Sequence, residues 1–248
     1  MSAMPKLSVV IPFYNEANCL TAVCLETRET LHRDFADDWE LIMVDDGSSD
    51  ATPTLIDTLA LQYTELRALH LHPNSGQSAA LEAGFAACRG ELIATLDGDG
   101  QNDPADIRML VEAMARLQVD MMCGIRARRA DNWVRRISSR IANRVRAGLL
   151  HDNISDVGCS IRVFRRQCVT RLRFFRNAHR FFPALVQMQG FRVAETPVHH
   201  RQRISGESKY GGGIRSRLWV GLADLAGVWW LRKRALRYGV TEAQKQDG

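Results

Sequence analysis

Within residues 1–120, short β-forming runs alternate with helical stretches, and this alternation limits the possible folds more than any other feature of the chain. Leu7-Ser-Val-Val-Ile11 is a β-rich run stopped by Pro12, and Glu16 to Leu31 reads as a helix. Trp39 to Val44 is a second strand, stopped by Asp45-Asp-Gly-Ser-Ser-Asp50. A helix to about Leu61 follows, then a strand Leu66–Leu71, a Pro-Asn-Ser-Gly turn, a helix Ser78–Cys88 and a strand that runs into Asp97. Strands and helices joined in this order by short loops imply a parallel sheet covered on both faces. Such sheets bind ligands beyond the carboxyl ends of their strands. The polar clusters around Glu16, Asp45 and Asp97 all follow strand ends, which puts them on one rim.

The stretch Leu92-Ile-Ala-Thr-Leu-Asp97-Gly-Asp99-Gly-Gln101 ends an apolar run in two carboxylates and an amide at i, i+2 and i+4. In an extended chain alternate side chains share a face, so Asp97, Asp99 and Gln101 are expected to present oxygen to one point. Hard oxygen donors of this kind suit Mg²⁺ or Mn²⁺, and Gly98 and Gly100 leave room for a diphosphate to approach the backbone. A solvated turn is the ordinary reading of an isolated Asp-Gly-Asp, so the rest of the chain must supply a nucleotide pocket and an acceptor. Asp45 and Asp46 repel each other unless something donates to them, as a ribose hydroxyl or a base N–H would. Glu16 is read either as a pocket residue or as a charge on the first turn of its helix. Asn74-Ser-Gly76-Gln77 is read either as a backbone phosphate site or as a plain turn and cap. Asp50 before Ala-Thr-Pro53 reads as a helix N-cap, and Ser48 and Ser49 as turn formers.

At 248 residues and 46% hydrophobic, the chain has enough material for one core plus an accessory tail. Its six cysteines show neither a CxxC pair nor zinc-type spacing, which favours buried thiols in a reducing compartment, and no secretory signal opens the sequence. The net charge of +5 hides an asymmetry: residues 1–120 carry 7 Lys and Arg against 20 Asp and Glu, residues 121–248 carry 26 against 8. A basic half of this kind faces phosphates, nucleic acid or an anionic membrane.

Taken together, Val10-Ile-Pro12-Phe-Tyr-Asn-Glu16, Val44-Asp-Asp-Gly-Ser-Ser-Asp50, Asn74-Ser-Gly-Gln77 and Leu96-Asp-Gly-Asp-Gly-Gln101-Asn-Asp-Pro104 resemble the family 2 inverting glycosyltransferases of the GT-A fold. The likeness is to the branch that moves a sugar from a nucleotide onto a polyprenyl phosphate. It continues through Gly124-Ile-Arg126, Asp156-Val-Gly-Cys-Ser-Ile-Arg162 and His200-Arg-Gln-Arg203-Ile-Ser-Gly206-Glu-Ser208-Lys209-Tyr210, covering roughly residues 7 to 212. The resemblance implies a Rossmann-like α/β domain over 1–212 with a mostly parallel sheet flanked by helices, followed by an interfacial helix and basic tail over 213–248. It implies that Pro12, Glu16, Asp45 or Asp46, and Gln77 line the nucleotide pocket, and that Asp97, Asp99 and Gln101 hold Mg²⁺ or Mn²⁺ under the diphosphate. Arg203, Ser208 and Lys209 would close over that diphosphate, and Arg126, Arg135 or Arg136, and Ser139 would receive the lipid phosphate. Asp99, Asp156 and Arg203 are the implied catalytic set, with Asp156 orienting a lipid-site arginine, acting as base, or capping a turn. The product would serve cell-envelope glycan or lipid A modification. Gly100 stands where the branch often has Leu, and Gly158-Cys-Ser-Ile-Arg162 replaces the more usual Ser-Gly-Phe-Arg.

In the basic half, Trp133, Ile137, Ile141, Val145 and Leu149 recur every four residues beside Arg136, Arg140 and Arg144, the pattern of an amphipathic helix with a cationic border. Leu218 to Leu231 is fourteen residues with Asp224 inside it, short of the ~20 that a spanning helix needs. Its Trp219, Trp229 and Trp230 beside Arg232-Lys-Arg234 suit a helix lying in the interface. The expected partners are therefore a nucleoside-diphosphate sugar, a polyprenyl phosphate and a membrane surface, with no nucleic acid and with room for a homo-oligomer. The expected location is the cytoplasmic face of the inner membrane, peripheral or monotopic, without a transmembrane span. Processive polysaccharide synthases carry Gln-x-x-Arg-Trp, whereas here Gln189-Gly-Phe-Arg192 is followed by Val193. A family 2 enzyme with a non-lipid acceptor leaves the arginine-bordered helix without a use. A sugar-1-phosphate nucleotidyltransferase lacks its Gly-rich Arg-Lys signature here, and a basic nucleic-acid-binding module leaves the clustered carboxylates unexplained.

Overall fold

The computed structural model describes residues 6–126, 146–150, 152, 154–203 and 214–235. Its frame is one sheet of seven strands: β1 (Leu7–Phe13), β2 (Trp39–Asp45), β3 (Leu66–His70), β4 (Leu92–Thr95), β5 (Met121–Arg126), β6 (Arg162–Arg165) and β7 (Val193–Val198), in the order β3-β2-β1-β4-β6-β5-β7. β6 runs antiparallel to both neighbours, β4 and β5, while the other pairings are parallel. The helices are α1 (Leu20–Phe35), α2 (Thr52–Gln62), α3 (Gln77–Ala87), α4 (Asp106–Leu117), the single turn α5 (Arg166–Val169), α6 (Phe182–Met188) and α7 (Ile214–Lys233).

Alternation along the strands divides the core into two layers. Leu7, Val9, Ile11, Leu41 and Met43 pack with residues of α1, α2 and α4 on one face. Val10, Ile42, Val44, Ile93, Met121 and Phe164 pack with residues of α3, α6 and α7 on the other. Strands buried on both faces need apolar side chains at nearly every position, which is why β1 and β2 read as continuous hydrophobic runs. All six cysteines are buried thiols within these layers, and burial pushes Cys88 and Cys123 up to about 12.

Several boundaries differ from expectation: α1 begins at Leu20 instead of Glu16, and the end of β1 has a plain physical reason. β1 continues through Pro12 to Phe13 instead of stopping. Leu96 N–H donates to Val10 O at 3.2 Å, and the β1–β4 ladder ends at the pair Val10–Thr95. Pro12, two residues on, turns the same way as Val10, so its missing N–H falls where no ladder partner remains.

The registers Phe13–Asp45 and Asp45–His70 align the carboxyl ends of β1, β2 and β3, and those of β1 and β4 lie side by side. Across the second core layer, Phe182 sits among Phe174, Phe164 and Phe85 at centroid separations of 5.5, 5.9 and 5.8 Å. This aromatic cluster supports the segment 174–182 that overhangs the rim.

α7 is longer than the fourteen residues expected from the apolar run alone. Leu225 and Val228 are buried in the second layer, and Asp224 accepts from Asn177 Nδ2 at 3.0 Å. Trp219, Ala223, Ala226 and Trp230 follow one another along the outward face, with Trp219 71% and Trp230 55% exposed. Lys233 Nζ lies 4.2 Å above the Trp229 ring. Among the described residues no helix is long and apolar enough to cross a membrane. The arginine-bordered helix expected from Trp133 lies outside the described residues up to position 145; residues 146–150 are helical.

Phe182 is 1% exposed and central to the aromatic cluster. Phe182→Ala should lower unfolding free energy by about 3–5 kcal/mol, read as a smaller urea midpoint at unchanged slope.

Candidate active site

A cavity of about 670 Å³ opens along the rim, between the ends of β1, β2 and β4 and the overhanging segment 174–179. Pro12, Glu16, Asp46, Gln77, Asp97, Asp99 and Arg203 all line it. A second cavity of about 360 Å³ shares Gln77, Asp97 and His179 with the first and extends beneath Val157–Ser160 and Arg162.

The loops that carry these groups are tied to one another. Asn15, in the left-handed region at φ 52°, donates its N–H to Ser48 Oγ at 2.8 Å and accepts from Ser49 N–H at 2.8 Å. Glu16 N–H donates to Thr52 Oγ1 at 2.9 Å, and Asp50 accepts from Ala17 N–H and Thr52 N–H. Ser48, Ser49 and Asp50 therefore join the β1 and β2 exits, a tertiary task beyond the local turn and cap read from sequence. Glu16 precedes α1 by four residues, so it stands outside the helix's first turn and faces the cavity.

Asp45 and Asp46 obtain their donors from the protein itself. Asp45 is wholly buried, accepts from Ser48 N–H at 3.0 Å and lies 3.4 Å from His70 Nδ1, so it does not reach the cavity as a nucleotide residue. Asp46 does line the cavity, but it accepts from Ser75 N–H at 2.8 Å, Gly76 N–H at 2.9 Å and Asn74 Nδ2 at 3.0 Å. Burial, followed by the neighbouring Asp45, still holds its pKa above the ordinary carboxylate value. The same bonds occupy the Ser75 and Gly76 N–H groups that a phosphate would have used.

The acidic turn departs from the extended geometry expected of it. β4 ends at Thr95, and the chain turns through 98–100 with Gly100 at φ 75°. Strand alternation therefore stops before Gln101. Asp97 and Asp99 both face the cavity, whereas Gln101 Nε2 lies 3.5 Å from His200 Nε2 and 3.4 Å from Arg201 O, away from the cavity lining. Gly98 has an internal reason for lacking a side chain, because a Cβ there would sit 2.5 Å from Phe13 Cδ1 and 2.9 Å from Pro12 O.

Desolvation and then the charge of Asp99 push Asp97 up to about 6, against a bond of 2.8 Å from Gln77 Nε2. Asn102 Oδ1 accepts from Asp97 N–H at 2.8 Å and from Ser160 Oγ at 2.9 Å, fixing the turn against the second half of the chain. Two carboxylates facing one cavity fit a divalent cation, with the remaining ligands left to a substrate. Among the described residues no group of three or more His, Cys, Asp or Glu side chains is placed to hold a metal.

Arg203 Nη2 lies 2.7 Å from Asp99 Oδ2. The segment delivering it is fastened along the acidic turn: His199 N–H and Nδ1 meet Asp106, Arg201 N–H donates to Gln101 O at 2.9 Å, and Arg201 pairs with Asp103 at 2.7 Å. At the end of β5, Arg126 Nε and Nη2 each meet a separate oxygen of Asp156 at 2.8 Å. Asp156 is 5% exposed, and neither partner lines either cavity. Of the roles left open for Asp156, orienting an arginine matches this bidentate contact. Arg135, Arg136, Ser139, Ser208 and Lys209 lie outside the described residues.

Sequence reasoning missed His179. Its Nδ1 lies 2.8 Å from Ser78 Oγ, across 101 residues of chain, and its surroundings of Ala178, Arg180 and Phe181 carry no motif. Arg162 lay within a quoted motif, but its task was not legible. It is 4% exposed and donates to His179 O at 2.6 Å and Val157 O at 2.7 Å, fixing a cation in the wall of the second cavity.

This sheet order, with an acidic turn at the end of β4, is the architecture of the GT-A glycosyltransferases. A mannosyltransferase from Pyrobaculum calidifontis, solved with GDP-Man and Mn²⁺, matches 96% of this chain and 67% of its own, with a TM-score of 0.64 and 18% identity. Glucosyl-3-phosphoglycerate synthase from Mycobacterium tuberculosis, solved with Mn²⁺, UDP and glucosyl-3-phosphoglycerate, matches 97% of this chain and 84% of its own, with a TM-score of 0.67 and 18% identity. The chain belongs to glycosyl transferase family 2, whose model matches residues 8–173. Dodecaprenyl-phosphate galacturonate synthase of Rhizobium johnstonii is 35% identical over 94% of this chain and 69% of its own length. Undecaprenyl-phosphate 4-deoxy-4-formamido-L-arabinose transferase of Aeromonas hydrophila is 38% identical over 83% of this chain and 63% of its own. The chain thus spans about two thirds of the length of these relatives.

Asp97 generates a stability prediction with a defined sign. Its pKa is near 6 when folded against about 3.9 when unfolded, so ionisation opposes folding increasingly from about pH 4 to 6 and steadily above that. Asp97→Asn should therefore raise Tm by about 6–12 °C at pH 7.5 and not at pH 4, in scans at both values.

Proposed function

We propose that this chain catalyses inverting transfer of a glycosyl group from a nucleoside-diphosphate sugar to a polyprenyl phosphate at the cytoplasmic face of a membrane. The observation that carries the donor side is the pair Asp97 and Asp99 in one cavity wall, with Arg203 on the outer oxygen of Asp99. The acceptor side rests on the relatives' names and on the arginines of the second half.

Asp97 and Asp99 would hold Mg²⁺ or Mn²⁺; such a cation supplies Lewis-acid neutralisation of the diphosphate. Pro12, Glu16 and Gln77 bind the nucleotide along the rim. Arg203 sets a guanidinium where negative charge grows on the departing diphosphate, and Asp99 holds it there before substrate arrives. An oxygen of the acceptor phosphate forms the new bond to the anomeric carbon from the opposite face. The carbon–oxygen bond to the diphosphate breaks, and the nucleoside diphosphate leaves with the electron pair. A phosphomonoester with a second pKa near ~6 is largely dianionic at neutral pH, so no residue need remove a proton. Asp156 then serves by aligning Arg126, a planar donor suited to phosphate. Ser208, Lys209, Arg135, Arg136 and Ser139 complete the diphosphate and acceptor sites in this reading.

The outward face of α7 supports the membrane reading. Trp219 and Trp230 present large aromatic area beside Lys233 and Arg234, the composition of a helix resting at the headgroup level. Trp219→Ala combined with Trp230→Ala should reduce binding to anionic vesicles roughly tenfold without lowering Tm, measured by co-sedimentation. Release of the unaltered protein by salt alone would contradict an embedded apolar face.

The reaction is tested by incubating membranes containing the protein with radiolabelled UDP- and GDP-sugars, with and without EDTA, followed by organic extraction and mild acid hydrolysis. One donor should yield an extractable, acid-labile product that EDTA abolishes. Asp99→Asn should reduce its formation by about 10²-fold or more, the scale on which preorganised electrostatic groups act. Label appearing solely in a water-soluble product would refute the lipid acceptor.

A further inference from the structure

His179 has no part in the reaction outlined above, yet it stands where the two cavities meet, together with Gln77 and Asp97. Its position is held on both sides. Ser78 Oγ accepts the backbone N–H of His179 at 3.3 Å and lies 2.8 Å from its ring Nδ1. Arg162 Nη1 donates to its carbonyl oxygen at 2.6 Å. With the Ser78 hydroxyl as the donor in this contact, Nδ1 accepts and the ring proton sits on Nε2. Burial and then the cations Arg162 and Arg180 push the ring down to about 3, so it meets a substrate as a neutral donor.

The geometry of the cavities gives that donor a use. If the diphosphate lies at Asp97 and Asp99, the nucleotide fills the larger cavity along the rim, and the sugar lies on the far side of Asp97. The smaller cavity, at about 360 Å³, has room for one hexose. Its wall is polar where it meets Asp97 and includes Thr95, Ser160 and Arg162. A pocket that reads sugar stereochemistry needs a donor or acceptor fixed in direction, because a misplaced hydroxyl leaves the protein group unpaired and desolvated.

We propose that His179, clamped by Ser78, is a specificity-determining residue that donates its Nε2–H to a hydroxyl oxygen of the donor sugar lodged in the smaller cavity. This rests on the nucleotide-sugar reading above. In this role His179 contributes to selection among sugars and little to binding of the nucleoside diphosphate, which lies on the other side of Asp97.

Calorimetric titration of the full-length protein with Mn²⁺ and UDP or GDP, then with a panel of the corresponding nucleotide sugars, tests the assignment without requiring turnover. His179→Phe removes the donor, His179→Gln returns an N–H near the position of Nε2, and Ser78→Ala frees the ring. His179→Phe should keep the nucleoside diphosphate Kd within twofold, while the affinity ratio between the preferred sugar nucleotide and its epimers falls about tenfold or more. His179→Gln should recover most of that ratio, and Ser78→Ala should lose part of it. An unchanged ratio in His179→Phe, with near-native Tm, overturns the role of His179 and leaves the donor reading standing. Equal weakening of nucleotide and sugar nucleotide in both His179 variants makes the residue merely structural and also overturns the proposal. Failure of the unaltered protein to bind any nucleoside diphosphate removes the donor reading and this inference together.

Discussion

Two carboxylates of like charge held close together at the end of a strand set the terms for everything around them. Asp97 and Asp99 share one cavity wall, and desolvation there costs each more than it would in water. The surrounding chain supplies donors to manage that cost: the Gln77 amide to Asp97, the Arg203 guanidinium and the Gln101 N–H to Asp99. Two of these donors, Gln77 and Arg203, come from distant parts of the sequence, so the acidic turn is also a point through which remote segments are drawn together.

Part of the rim's polar display is satisfied within the protein itself. Asp45 is taken up by Ser48 and His70, and Asp46 by three donors of the turn before α3. These bonds build the walls of the pocket. Glu16, Gln77, Asp97, Asp99, Arg203 and His179 are among the groups that line the cavity. Hydrogen bonds from within the protein hold both carboxylates, Asp45 and Asp46, in place, and of the two only Asp46 lines the cavity.

Helix α7 joins the two functions assigned to the second half of the chain. Its inner face packs Leu225 and Val228 against the core, and Asp224 holds Asn177 in the segment that overhangs the cavity. Its outer face carries the exposed tryptophans.

Much of the fold was legible from residues alone, because strands buried on both faces must be written as apolar runs and their loops as Gly, Pro, Asp and Ser clusters. The parallel sheet, the shared rim, and the presence of Asp97, Asp99, Glu16 and Arg203 at one site follow from that writing and from the family resemblance. Tertiary structure decided the rest. Pro12 stays in β1 because β4 has already ended beside it, a fact about a neighbouring strand 80 residues away. Gln101 leaves the face shared by Asp97 and Asp99 because the chain turns at Gly100. Asp45 drops out of the pocket because Ser48 and His70 reach it first. His179 enters because Ser78 and Arg162 hold it from either side, 101 and 17 residues distant. Sequence pattern records which face of an element is buried, since burial acts on every residue in turn; it does not record which single donor arrives at which single acceptor, since that depends on where the folded chain brings remote atoms within 3 Å.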